Sequence, residues 1–216
     1  MNILYCGYRD WAKNLYEKIS KKFDNHQFYL AQNKEEFVSF YFKNKFDFIF
    51  FIGWSWIIPE EIITNDFCIC LHPSKLPKYR GGTPIQHQIL NGETESAVTL
   101  FKMDNMIDHG PIIFQKEFSL EGDLNEIFSK IEDLGYDGLS YIINNCKNMV
   151  MHEQNEYEAT NFKRRKPEMS EIFLEDFSKH TATELYNKIR CLQDPYPNAF
   201  IRCKDDTILF FKKASI

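Results

Sequence analysis

The chain has 216 residues, a net charge of -5 and a pI of about 5.7. Its 44% hydrophobic and 16% aromatic content predicts a folded globular protein, and the acidic charge argues against a general nucleic-acid-binding surface. No apolar run reaches the length of a membrane span. Six cysteines form no C-x-x-C pair and no secretory signal precedes them, which favours a reduced, cytoplasmic location.

The first fifty residues alternate between strand and helix patterns. Strands are predicted at 2–7, 26–31 and 46–52, and amphipathic helices at 10–22 and 34–43. The third strand is apolar on both faces, as is typical of a central parallel strand covered by helices on both sides. We therefore predict an α/β fold with a doubly wound, Rossmann-like, mostly parallel sheet. Gly7 is followed by Tyr-Arg-Asp, so the glycine-rich dinucleotide fingerprint is absent and NAD binding is not expected.

The rest of the chain divides into a continued core and two smaller segments. A short helix at 59–63, strands at 67–72 and 97–103, a helix at 84–91 and a long helical pattern at 124–150 complete a predicted catalytic domain, 1–150. Gly135 and Gly138 are expected to weaken the long helix. The polar stretch 151–175 is predicted to be a linker along the active-site face. Residues 176–216 are expected to form a small subdomain of one helix, with a Thr181–Glu184 capping box, and a hairpin whose edge would allow a homodimer.

His72 is the first candidate for chemistry, because an apolar strand delivers it to a loop rich in proline and glycine. Ligands of open parallel sheets bind beyond the carboxyl ends of the strands. A lone histidine there is more often a hydrogen-bonded structural residue, but Asp108 also follows an apolar strand and precedes a glycine turn. If the two strands are neighbours, the carboxylate meets the imidazole, orients it and stabilises its protonated form.

Four motifs resemble the formyltransferase family that uses N10-formyltetrahydrofolate. They are HPSKLPKYRG from His72, DHG from Asp108, GWSWIIP from Gly53 and DPYPNAF from Asp194, and the resemblance extends over residues 2–203. The family includes methionyl-tRNA, glycinamide ribonucleotide and nucleotide-sugar N-formyltransferases. The stretch ATNFKRRKP at 159–167 makes the chain most like the nucleotide-sugar enzymes.

The resemblance implies a formyltransferase in which His72 is the general base and Asp108 assists it. No histidine-carboxylate or cysteine cluster stands at ligand spacing, so no metal is expected. It implies a folate site made by Trp54, Ser55, Trp56, Ile57 and Ile58 together with Asp104. It also implies substrate contacts from Lys78, Tyr79 and Arg80, with Lys163, Arg164 and Arg165 facing a pyrophosphate. A solvated basic loop is an equally acceptable interpretation of that last cluster.

Cys70 departs from the family pattern, which has a catalytic asparagine two residues before the histidine. A thiol is a weak donor, and losing one oxyanion donor costs roughly 100- to 1000-fold in rate. Three explanations stay open. Another donor compensates, and Asn105 is the nearest asparagine before Asp108; or the enzyme is slow; or the chain is a non-catalytic relative. A Cys70 thiolate that accepts the formyl group is a further alternative, less favoured than a small buried side chain.

The sequence thus predicts formyl transfer from N10-formyltetrahydrofolate to the primary amine of a nucleotide-linked amino sugar. The expected partner is this small molecule, with neither nucleic acid nor membrane. Glycinamide ribonucleotide as the acceptor, or a catalytically impaired folate- or nucleotide-binding relative, are the alternatives. The sugar and its nucleotide, UDP or dTDP, stay open.

Overall fold

A six-stranded sheet forms the centre of the computed structural model, which describes residues 1–216, and its strand order is β2-β1-β3-β4-β6-β7. The first four of these strands run parallel, while β6 is antiparallel to β4 and β7 is antiparallel to β6. The predicted mostly parallel α/β sheet is therefore confirmed. In chain order the strands are β1 (Asn2–Cys6), β2 (Gln27–Ala31), β3 (Phe48–Ile52), β4 (Cys68–His72), β5 (Arg80–Gly81), β6 (Glu95–Lys102), β7 (Ile112–Ser119), β8 (Asn161–Phe162), β9 (Ala199–Arg202) and β10 (Ile208–Phe211).

Helices cover both faces of the sheet. They are α1 (Asp10–Lys22), α2 (Lys34–Lys43), α3 (Glu60–Asn65), α4 (Pro84–Leu90), α5 (Leu124–Asn144), α6 (Asp176–Lys179) and α7 (Ala182–Arg190). One apolar cluster includes side chains of α1, α4 and α5, and the other includes side chains of α2 and α3. All five residues of β3 are buried, because this strand is central and both of its faces are covered. None of the helices combines the length and apolarity that crossing a membrane requires.

Helix α5 differs from its prediction in two respects. It ends at Asn144, because the Asn145 side chain and backbone both donate to the Tyr141 carbonyl and close the last turn. The two glycines are packing positions, where the helix approaches the sheet closely. A Cβ atom at Gly138 would lie 2.4 Å from a methyl of Leu100. The apolar periodicity identified the helix but could not distinguish this close approach from a weak point.

The last third of the chain folds back on the core. Strand β8 pairs in parallel with β5, two residues each, so the stretch after α5 returns to the loop that follows His72. The predicted Thr181–Glu184 capping box begins α7, and β9 and β10 form the predicted antiparallel hairpin. The subdomain boundaries at 150 and 175 stay predictions.

Candidate active site

His72 is the last residue of β4, and its imidazole is fixed at both nitrogens. Its Nε2 lies 2.8 Å from the Tyr79 carbonyl oxygen, and its Nδ1 lies 3.3 Å from Oδ2 of Asp108. Because a carbonyl only accepts, Nε2 carries a proton and donates it. In the neutral ring Nδ1 then has the free lone pair. With 5% of the residue exposed, His72 is largely removed from water.

Asp108 reaches His72 by a loop and not by a strand end. Strand β6 neighbours β4, as the sequence suggested, but it runs antiparallel, so its last residue, Lys102, lies beside Ile69 at the far end of β4. Residues 103–111, here called the return loop, bring the chain back. Asp108 has a φ of +52° in this loop, and its Oδ2 accepts a 2.8 Å bond from the Gly81 amide.

Tyr79 and Arg80, two of the buried residues in the HPSKLPKYRG loop, have structural partners. The Tyr79 ring stacks on Phe162 at a centroid distance of 4.9 Å, and its hydroxyl donates to Glu93. Arg80 is 4% exposed, and its guanidinium donates to Gln154 and Glu156. Of the three loop residues expected to contact substrate, only Lys78 presents its side chain to solvent.

The segment after β3 forms an aromatic wall at the carboxyl end of the parallel strands. The Trp54 and Trp56 rings meet edge to face at 4.6 Å, and the Tyr8 ring lies 5.0 Å from that of Trp56. The Tyr8 hydroxyl is 2.7 Å from the Ser55 hydroxyl. The indole nitrogen of Trp54 is buried without a hydrogen-bond partner.

The remaining residues expected at the folate site differ in exposure. Ile57 is 91% exposed, whereas Ile58 is buried. Asp104 lies in the return loop, where its carboxylate accepts from the Met106 amide and from Nδ1 of His109. Its carboxylate therefore already supports the local fold of that loop.

Cys70 precedes His72 by two residues on β4, so both side chains point to the same face of the sheet. Its sulfur lies 3.7 Å from the Leu71 carbonyl. Burial raises the pKa of the Cys70 thiol well above its ordinary value, and the Asp108 carboxylate raises it further. Near neutral pH the side chain is therefore an uncharged thiol.

Asn105 does not take the place of the missing asparagine. Its side-chain amide donates to Glu60 at 2.6 Å, in the first turn of α3. Both residues are exposed, and the contact ties the return loop to α3. The structure therefore gives the Asn105 amide a partner in α3, and an oxyanion-donor role for Asn105 stays a prediction.

The basic segment 163–166 lies beside the HPSKLPKYRG loop. A Cβ atom at Gly82 would be 2.5 Å from Cα of Arg164, so the two backbones are in contact. Lys163 and Arg164 are exposed and make no ion pair. Arg165 is half-buried: it donates to the Met169 carbonyl, its Nε has no partner, and burial lowers the pKa of its guanidinium.

Three residues that sequence reasoning did not select hold the site together. Gln154 donates to the carbonyls of Asp108 and Gly110. Glu156 pairs with Arg80, and His109 lies between Asp104 and Glu156. They come from a polar stretch without periodicity and from a turn, so no sequence signal distinguished them from solvated residues.

These features define a class of protein: an α/β protein with a His–Asp pair and an aromatic wall at the carboxyl ends of its parallel strands, an arrangement suited to acid–base chemistry on a bound molecule. The family model described as formyl transferase matches residues 10–142. A methionyl-tRNA formyltransferase of Ehrlichia ruminantium (strain Welgevonden) is 34% identical over 162 residues, 72% of this chain and 50% of that protein. The chain belongs to the formyl transferase family.

Solved structures agree with this assignment. A methionyl-tRNA formyltransferase from Clostridium thermocellum superposes with a TM-score of 0.89 at 33% identity, covering 100% of this chain and 93% of that one. A sugar N-formyltransferase from Shewanella sp FDAARGOS_354 shares the fold, with a TM-score of 0.79 at 18% identity over 100% and 98% of the two chains. The chain spans about half the length of the curated relatives it matches.

Proposed function

We propose that this chain transfers a formyl group from N10-formyltetrahydrofolate to the primary amine of a nucleotide-linked amino sugar. The observation that carries the proposal is the His72–Asp108 pair, 3.3 Å apart at the end of a parallel strand in a member of the formyl transferase family. An amine that attacks an acyl carbon must lose a proton, and a buried imidazole beside a carboxylate can accept it.

His72 would accept this proton at Nδ1. Its Nε2 proton is committed to the Tyr79 carbonyl, so Nδ1 holds the lone pair of the neutral ring. A proton gained there lies beside Asp108 Oδ2, where the carboxylate stabilises the imidazolium. The Gly81 amide holds the same oxygen in place, which keeps the pair aligned without substrate.

The aromatic wall fits a folate. Trp54, Trp56 and Tyr8 provide flat apolar surfaces for a ring system, and Trp54 adds an indole N–H without an acceptor. Residues 54–58 and Asp104 would hold the folate, which when bound supplies the formyl group. The similarity of the GWSWIIP segment to folate-using formyltransferases supports the same assignment.

Cys70 acts in this scheme as a small neutral side chain. The raised pKa of its thiol keeps the sulfur protonated, which argues against a nucleophilic thiolate and a formyl-thioester. It also leaves the negative charge that develops on the formyl oxygen with only a weak donor at this position. Slow turnover, relative to an enzyme with an amide there, is the expected consequence.

The basic segment supports a phosphate-bearing acceptor. Lys163 and Arg164 are exposed, unpaired and adjacent to the HPSKLPKYRG loop, so they can meet a pyrophosphate while the amine reaches His72. The aminoacyl group of a charged tRNA is a second candidate. The names of the 33–34% identical relatives favour it, whereas the net charge of -5 does not favour an extended RNA contact.

Product mass spectrometry tests the proposal. The protein is incubated with N10-formyltetrahydrofolate and a panel of UDP- and dTDP-linked amino sugars, glycinamide ribonucleotide and methionyl-tRNA. We expect one formyl group on one nucleotide sugar, with product formation at least about 100-fold slower when His72→Asn replaces the wild type. Formylation of methionyl-tRNA alone would transfer the proposal to the second candidate. No product on any acceptor, with tetrahydrofolate bound, would favour an impaired relative.

A further inference from the structure

The conformation of Asp108 needs support from outside its own loop. A φ of +52° is uncommon for a residue with a side chain, and such strained backbone conformations persist when neighbours hold them. The return loop also has three exposed residues, 105–107, immediately before Asp108. The loop's position therefore depends on contacts made with other segments.

Gln154 supplies that support through a single side chain. Its Nε2 donates to the Asp108 carbonyl at 3.0 Å and to the Gly110 carbonyl at 2.8 Å, so both amide protons go to the return loop. Two carbonyls on either side of His109 are thereby held by one planar group. This fixes the peptide units that determine where the Asp108 carboxylate points.

Arg80 fixes the orientation of the Gln154 amide. Its Nε and Nη2 donate to Gln154 Oε1 at 3.1 and 2.8 Å, which leaves Nε2 facing the return loop. Arg80 is itself buried and paired with Glu156. The next residue, Gly81, donates its amide to the Asp108 carboxylate, so Gly81 holds the side chain of Asp108 while Gln154 holds its backbone.

We propose that Gln154 is a positioning residue for the reaction: it holds Asp108 against His72 without touching the reacting groups. The effect on rate rests on the proposed function, whereas the effect on Asp108 geometry does not. Displacing a catalytic group by about 1 Å costs on the order of 100-fold. Loss of the Gln154 bonds should therefore lower kcat by about 10- to 100-fold, with the KM for the formyl donor within about threefold of wild type.

Two variants separate the donor role from side-chain volume. Gln154→Glu keeps an acceptor for Arg80 but cannot donate to the two carbonyls, and Gln154→Met removes the amide without adding charge. Gln193→Met is the matched control, because Gln193 also bonds to backbone groups, the Leu124 amide and the Lys212 carbonyl, but away from His72. A merely structural role would reduce thermal stability in all three variants and leave kcat unchanged.

The Gly81 amide proton provides a readout that needs no turnover. Its resonance in a ¹H–¹⁵N spectrum reports the bond to Asp108, and Asp108→Asn defines the shift caused by losing the carboxylate. We expect Gln154→Glu and Gln154→Met to move this resonance in the direction of Asp108→Asn, with Gln193→Met at the wild-type position. An unmoved resonance in both Gln154 variants, or in Asp108→Asn, overturns the proposal. Moved resonances in a protein that formylates no acceptor would support the positioning role and reject the proposed function.

Discussion

His72 and Asp108 reach the same place by different routes, and the difference explains how this site is built. His72 stands on β4, a parallel strand between β3 and β6, with backbone pairing on both sides. Asp108 stands on a loop that returns from the far end of an antiparallel strand. The ladder of the sheet fixes the first residue, and side-chain bonds from a distant segment fix the second.

The sheet makes the position of His72 robust, whereas the position of Asp108 is vulnerable. The residues of β3 and β6 that flank His72 are buried, so the His72 backbone moves only if the sheet moves. Asp108 depends on a few hydrogen bonds to exposed or half-exposed segments, which open more easily. Substitutions near Asp108 should therefore change the rate without unfolding the protein.

Replacement of the strand-borne residue should give the largest effect. In His72→Asn the side-chain amide is not basic and cannot take up the amine proton, so we expect formyl transfer to fall by about 10²- to 10⁴-fold. Tetrahydrofolate binding, measured by quenching of the Trp54 and Trp56 fluorescence, should stay within about threefold. Wild-type turnover in this variant would remove His72 from the mechanism.

Gly110→Ala tests the loop-borne residue. A Cβ atom there would lie 1.8 Å from the Lys102 carbonyl oxygen, so the return loop must shift while the sheet remains. We expect kcat to fall by about 10- to 100-fold. Gly92→Ala is the control: its φ of +79° strains an alanine by about 1 kcal/mol, but nothing lies within 4 Å of the added atom. Equal losses in the two variants would mean that loop position does not control the rate.

The sequence predicted those parts of the fold that follow from periodic patterns of apolar and polar residues. The parallel strands, the helices that cover them, the capping box before α7 and the hairpin all follow from local patterns of apolar and polar residues. His72 followed from a strand that ends in a proline- and glycine-rich loop. These features depend on neighbours in sequence, so the sequence contains them directly.

The sequence did not reveal how Asp108 is held. The direction of β6 depends on a chain reversal that no local signal specifies, and Gln154 acts on residues 44 and 46 positions earlier. The family resemblance implies a substrate contact for Arg80, whereas the structure buries its guanidinium against Gln154 and Glu156. Tertiary partners of this kind are visible only in the fold.

Cys70 lies on the same strand as His72, two residues before it. Because the thiol is a weak donor beside His72, we expect Cys70→Asn to raise kcat by about tenfold, and Cys70→Ala to leave it within about threefold of wild type. Steady-state rates with the identified acceptor measure both. A large loss in Cys70→Ala would instead make the thiol a participant, and a rapid-quench search for a formyl-thioester would follow.

The central sheet, which carries His72, should lose stability in alkali. Burial raises the pKa of the Cys6 thiol well above its ordinary value and that of Cys68 to about 12, so these thiols ionise only after unfolding. Their stabilising contribution is complete below the unfolded pKa near 8.5 and is lost as the pH rises through the folded values. We expect about 1 kcal/mol less unfolding free energy per thiol and pH unit above pH 9. Urea titrations under reducing conditions measure it, and Cys68→Ala should reduce the slope.

The contacts around the return loop should weaken in acid. We expect this effect to be smaller than the loss of sheet stability in alkali. The Arg80 guanidinium lowers the pKa of the Glu156 carboxyl by hydrogen bonding, so the pair is intact above the ordinary carboxyl pKa and is lost as the pH falls through the depressed folded value. Gly82, whose amide bonds to the Phe162 carbonyl, reports the nearby β5–β8 contact. Because Glu156 is exposed, its protonation should have a small effect. We expect the hydrogen-exchange protection of the Gly82 amide to fall only about two- to threefold between pH 6 and pH 3. Glu156→Gln should lack this decrease, so an identical pH profile in the two proteins would assign it to another carboxyl group.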